Sequence, residues 1–153
     1  MQSLFSYFNE SLLFQNFLEV ITGLDNTLLL LVISLPIGFV LSLLFALGRV
    51  STNKFISKPI ASYIFVIRGT PLLVQIYLIY FGLGSIEFIR ESFLWYLLRE
   101  PFWCGVLALT INTVAYGSEI FRGGIQSVTK GQIESGLSLG FNKVTLLLSL
   151  IHI

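Results

Sequence analysis

Arg68 stands inside an apolar run, VIRGTPLLVQ, with Gly69, Thr70, Pro71 and Gln75 close behind it. An arginine at membrane depth is costly unless it faces a cavity or finds a partner. Pro71 cannot donate the hydrogen bond that closes the preceding turn, and Gly69 loosens the same stretch, so backbone carbonyls are freed there. In lipid such groups need internal partners or water, which turns this segment toward protein or an aqueous path. A helix broken in this way is a common wall of a transport site. The plainer alternative is a kinked helix whose Arg68 snorkels back to the cytoplasmic headgroups.

A second constellation, NTVAYGSEIFR, holds Asn112, Thr113, Tyr116, Glu119 and Arg122 on an otherwise apolar stretch. Positions 112, 116 and 119 share one helical face, which is expected to look inward. Glu119 and Arg122, three residues apart, can neutralise one another. The sharper expectation pairs Glu119 with Arg68 across two antiparallel helices. A third stretch, TKGQIESGLSLGFNKV, reads as two short helices joined at Gly140-Phe141, where glycine suits a left-handed turn. Small residues Ser135, Gly136 and Ser138 leave room there for another protein, although an ordinary connecting loop has the same look.

Composition excludes several function classes. More than half of the residues are apolar, and nine Lys and Arg nearly balance eight Asp and Glu, so no basic surface suggests a nucleic-acid partner. Cys104 and His152 are the single cysteine and histidine, which leaves no disulfide framework and no Cys/His metal cluster. Cys104 reads as a small apolar filler. No Gly-x-x-x-x-Gly-Lys-Ser/Thr phosphate loop is present, and no Ser/His or paired-Asp arrangement sits at membrane depth. An intramembrane enzyme is therefore the weakest reading.

The elements that must position these residues are membrane spans. The fold class expected is an all-α integral membrane protein forming a single transmembrane domain over 1–153. Residues 1–23 form an external, partly amphipathic lead-in segment without the basic start of a cleaved signal peptide. The first span is 24–48, since about 20 apolar residues suffice to cross the hydrocarbon core. Within it Ser34, Gly38, Ser42 and Ala46 recur every fourth residue, a stripe where another helix can approach closely. The second span, 60–84, contains the Arg68 to Gln75 interruption. GSIEFIRESFLWYLLREP then mixes charges with aromatics, as a helix on a membrane surface would. The third span is 102–121, and a cytoplasmic loop follows over 126–145. Lys and Arg are absent from the first 22 residues but number three after the first span and three from Arg122 to Lys143, so those two loops are expected inside and the N-terminus outside. The final run, LLLSLIHI, is far shorter than a span, and the expectation is a truncated sequence.

Taken in order, IRGTPLLVQIYLIYFGL (67–83) and LTINTVAYGSEIFRGGIQSVTKGQIESGLSLGF (109–141) resemble the permease subunits of ABC importers, specifically the polar amino-acid family with its histidine, glutamine, glutamate and arginine systems. The likeness runs from about Leu24 to the end. In that family a cytoplasmic Glu-Ala-Ala signature followed by glycine forms coupling helices that dock on the ATPase. Glu134 matches the glutamate, Gly140 the glycine, and Gly131 and Gln132 the usual preceding pair; Ser135 and Gly136 replace the two alanines, and glycine is the weaker helix former.

The resemblance implies two further spans, five in the complete permease, and an inner-membrane, multi-pass location in a bacterial cell. Its implied partners are a cytoplasmic ABC ATPase dimer, a second permease subunit, identical or homologous, an external solute-binding protein and the lipid bilayer. ATP and Mg would be used by the ATPase, with no cofactor in this chain. The translocation path would be lined by Arg68, Gly69, Thr70, Pro71, Gln75, Asn112, Tyr116, Glu119 and Arg122, with Arg68 attracting a carboxylate and Glu119 an ammonium or guanidinium. A permease for another small solute and a non-transporting membrane scaffold are the rival readings.

Overall fold

The computed structural model describes residues 10–142 together with Thr145, Leu146 and Ser149. Its first helix, α1, runs unbroken over Glu10–Val50. At 1.5 Å per residue it is about 60 Å long, roughly twice the hydrocarbon thickness. Residues 10–23 of the expected lead-in segment therefore belong to the same helix as the first span; residues 1–9 lie outside the described residues. The second long helix, labelled α7 here, spans Pro101–Ser127 with proline at its first turn, where no backbone donor is lost.

Between them lies a bent pair. Helix α2, Lys54–Arg68, starts at the cap residue Asn53, whose Oδ1 accepts from the Phe55 N–H at 2.9 Å. Past the Gly69-Thr70-Pro71 break, α3 (Leu72–Tyr77), a π-helical turn (Leu78–Gly82) and α4 (Leu83–Ser85) form one continuous arm. The helix axis turns by 105° between the two arms. The expected interruption is thus an elbow, sharper than a proline kink. Among the described residues two helices are long and apolar enough to cross a membrane, and the bent pair makes a third crossing if it counts as one span. Two arms of 15 and 14 residues at that angle reach about 26 Å end to end, close to the ~30 Å of hydrocarbon.

Packing supplies an independent argument for that third crossing. The side chain of Leu30 faces Gly105, Gly38 faces Thr113 and Ser42 faces Gly117, each pair offset by the same 75 residues. A constant difference means parallel helices; antiparallel neighbours would keep a constant sum. A chain that descends twice in the same direction must climb back in between, and only the elbow and the short surface segment lie there. The small-residue stripe is the contact: Ser34, Gly38, Ser42 and Ala46 are all buried. The Ser42 hydroxyl lies 2.6 Å from the Gly38 carbonyl and 3.1 Å from that of Thr113. Phe39 closes the same interface edge-on against Phe121.

The surface segment is two single-turn helices, α5 (Glu87–Arg90) and α6 (Trp95–Leu98), rather than one helix. Ser92 Oγ donates to the Ile89 carbonyl at 2.7 Å, the local side-chain bond that competes with helix continuation. Phe88, Phe93 and Tyr96 stand exposed on it. After α7 comes α8, Lys130–Ser138.

Candidate functional site

The elbow is held by side-chain hydrogen bonds. Pro71 removes the donor that the Ile67 carbonyl would receive in a continuous helix. Gln75 Nε2 lies 2.7 Å from that carbonyl oxygen, 3.0 Å from the Thr70 carbonyl and 2.9 Å from Thr70 Oγ1. Thr70 Oγ1 itself reaches the Val66 carbonyl at 3.1 Å and that of Ile67 at 3.2 Å. Gln75 Oε1 accepts from Asn112 Nδ2 on α7 at 3.2 Å. From the first arm, Tyr63 donates its hydroxyl to the Ile111 carbonyl at 2.7 Å. Gly69 ends α2 in the right-handed region, and a Cβ there would stand 3.0 Å from the Phe65 oxygen. The elbow needs that closeness, not a left-handed glycine.

Arg68 projects from the end of α2, with its guanidinium carbon 5.2 Å from the centre of the Tyr116 ring. That is within cation–π range. Among the described residues no carboxylate lies within ion-pair distance of it. The expected Arg68–Glu119 pair is not formed. Glu119 takes a fork from Arg122, with Nη2 at 2.7 Å and Nε at 3.0 Å, and Arg49 approaches from the end of α1 at 4.0 Å. The reason is proximity on one helix: residues 119 and 122 are neighbours whatever the packing, whereas Arg68 has an aromatic face nearer to hand. The three-residue alternative is the one realised.

A cavity of about 590 Å³ opens between α1, α2 and α7. Arg49, Ile64, Arg68, Gly69, Tyr116 and Glu119 line it. Asn112, Tyr116 and Glu119 thus fall on the side of α7 that meets the elbow and the cavity. Gln75 and Asn112 spend their polar groups on each other and on the backbone, one step away from the cavity wall. Arg122 turns toward Glu119 and Gln126. Arg49 and Tyr63 were missed as site residues. Arg49 counted only toward loop charge, although an arginine in the last turn of a span whose neighbour carries Glu119 was a readable hint.

In the loop expected to dock a partner, Gly131, Gln132, Glu134 and Ser135 lie exposed on α8. Thr129 and Gln132 form a capping box: Thr129 N–H donates to Gln132 Oε1 at 3.1 Å. The Thr-x-x-Gln spacing carried that signal. Gly136 is buried, and a Cβ on it would collide with Leu146 of the same chain, so its space is filled from within and not kept for another protein. Gly140 has φ +81°, the left-handed turn expected after a helix. The second short helix is described only at Thr145, Leu146 and Ser149, all helical; its other residues lie outside the described ones.

Two parallel membrane-length helices, a broken one between them and a capped helix after them form an all-helical membrane domain. The chain matches the family of binding-protein-dependent transport system inner membrane components over residues 15–151, and it belongs to that family. It is 45% identical over 139 residues to the octopine transport system permease protein OccM of Rhizobium radiobacter, covering 91% of this chain and 57% of that protein. To the histidine/lysine/arginine/ornithine transport system permease protein HisM of Escherichia coli it is 47% identical, covering 79% of this chain and 51% of the relative. The chain therefore spans about half the length of the curated relatives it matches. A crystal structure of an amino acid ABC transporter with histidines superposes with a TM-score of 0.72 at 39% identity, covering 91% of this chain and 61% of that one.

Proposed function

We propose that this chain forms part of a permease subunit for ATP-driven uptake of a polar amino acid, in which the cavity beside the elbow receives the carboxylate end of the solute. The observation that carries the reading is Arg68, a guanidinium at a break in a membrane helix, stacked on Tyr116 and facing a 590 Å³ cavity without a carboxylate partner among the described residues. A cation held in such a place gains most from an anion that arrives with the solute. Glu119 is already engaged by Arg122 and Arg49, so it is a weaker anchor for a cationic side chain than Arg68 is for a carboxylate. Relatives named for octopine and for histidine, lysine, arginine and ornithine support a basic amino acid or its derivative as the solute.

The same reading places the N-terminus outside and α8 in the cytoplasm of a bacterial cell. Glu134 and Ser135 would dock on an ABC ATPase dimer, which uses the ATP and Mg. A second permease subunit would complete the path, and an external solute-binding protein would deliver the amino acid.

The test is uptake of radiolabelled arginine and octopine into proteoliposomes holding the full-length subunit with its ATPase and binding protein. Arg68→Gln is expected to raise KM about tenfold or more, the loss of a charged hydrogen-bonded anchor. An unchanged KM refutes the carboxylate role, and uptake of neither amino acid, with uptake of another solute class, refutes the substrate class. Glu134→Lys is expected to leave the subunit inserted while ATP hydrolysis no longer responds to the loaded binding protein; a normal response argues against docking through α8.

A further inference from the structure

The Ile67 carbonyl keeps one backbone contact after Pro71 removes its usual donor, a long one from the Thr70 N–H at 3.3 Å. Gln75 supplies the better bond at 2.7 Å, from a side chain only 5% exposed, so water offers little substitute. Its other end is held by Asn112, and the Tyr63 hydroxyl is held by the Ile111 carbonyl. The two arms of the elbow are therefore tied to consecutive residues of α7.

We propose that Gln75 is a positioning residue: it sets the angle between the two arms, and through it the place of the Arg68 guanidinium over Tyr116, without touching the transported molecule. A glutamine in the path would keep donors or acceptors for the solute. Here both ends of the carboxamide are committed to protein. The link to transport rests on the permease reading above; the link to the elbow angle does not.

The two are separated by measuring both in the full-length subunit assembled with its partners. Spin labels at the exposed positions Lys58 and Leu78, in a Cys104→Ala background, report the distance between the arms. The parent protein is expected to give one narrow distance. Gln75→Leu, of similar size but without the carboxamide, is expected to broaden it and to raise the KM of uptake about tenfold, with kcat less affected. Adding Pro71→Ala restores a backbone N–H for the Ile67 carbonyl. That double variant is expected to sharpen the distance again, toward the ~30 Å of a straight helix over those residues, while uptake stays impaired. Unchanged distance and KM in Gln75→Leu overturn the proposal. Should that variant fail to insert, Asn112→Ala cuts only the tie to α7, and unchanged distance and KM there overturn it equally. A distance broadened by Gln75→Leu, when the parent protein itself moves no amino acid, upholds the elbow and refutes the permease reading instead.

Discussion

The α1–α7 contact and the elbow both bring backbone close to backbone, but by opposite means. Along the stripe from Ser34 to Ala46 the helices approach because side chains are small, and the hydroxyls there bond mainly to their own helix, as Ser34 Oγ does to the Leu30 carbonyl at 2.6 Å. At the elbow, approach is held by carboxamide and hydroxyl groups that replace missing backbone bonds. Lipid explains the division. Where backbones are already satisfied, helix association rests on shape and close packing. Where proline has opened the ladder, every freed group needs a partner from the protein. The first interface should thus be sensitive to volume and the second to polarity.

The largest effect should come from volume at the stripe. A Cβ on Gly38 would stand 2.7 Å from Thr113 Cγ2, so Gly38→Leu is expected to separate α1 from α7 and cost about 3 kcal/mol or more. Loss of the cooperative unfolding transition in bicelles would show it, and normal stability would remove the stripe's role. A smaller effect is expected from Thr70→Val, which keeps the shape but removes the Oγ1 that serves Val66, Ile67 and Gln75; about 1 kcal/mol is expected. Ser34→Ala is the smallest, about 0.5 kcal/mol or less, because its bond stays within one helix. If Ser34→Ala costs more than Thr70→Val in the same unfolding measurement, the contrast between the two regions fails.

Much of this was legible in order along the chain. Apolar length pointed to the two long helices α1 and α7, proline and glycine located the break, and the fourfold spacing of small residues marked the face of α1 that is buried. Gly140 showed its turn by type alone. The partners were less readable. Arg68 and Glu119 are opposite charges near one depth, yet each finds a different neighbour, Tyr116 for one and Arg122 with Arg49 for the other. Gly136 looked like room for a partner and is instead occupied by Leu146.

By itself the sequence determined where the chain prefers lipid, where its helices stop and which residues are small enough for close contact, since these follow from side-chain transfer energies and backbone sterics within a few turns. Tertiary structure alone decided the parallel register of α1 on α7, the 105° bend of the elbow and the placing of Arg68 over Tyr116 rather than beside Glu119. Those depend on distances between residues far apart in the chain. A few ångströms of displacement decide whether Arg68 meets a carboxylate or a ring, and no local pattern of residue types encodes a displacement that small.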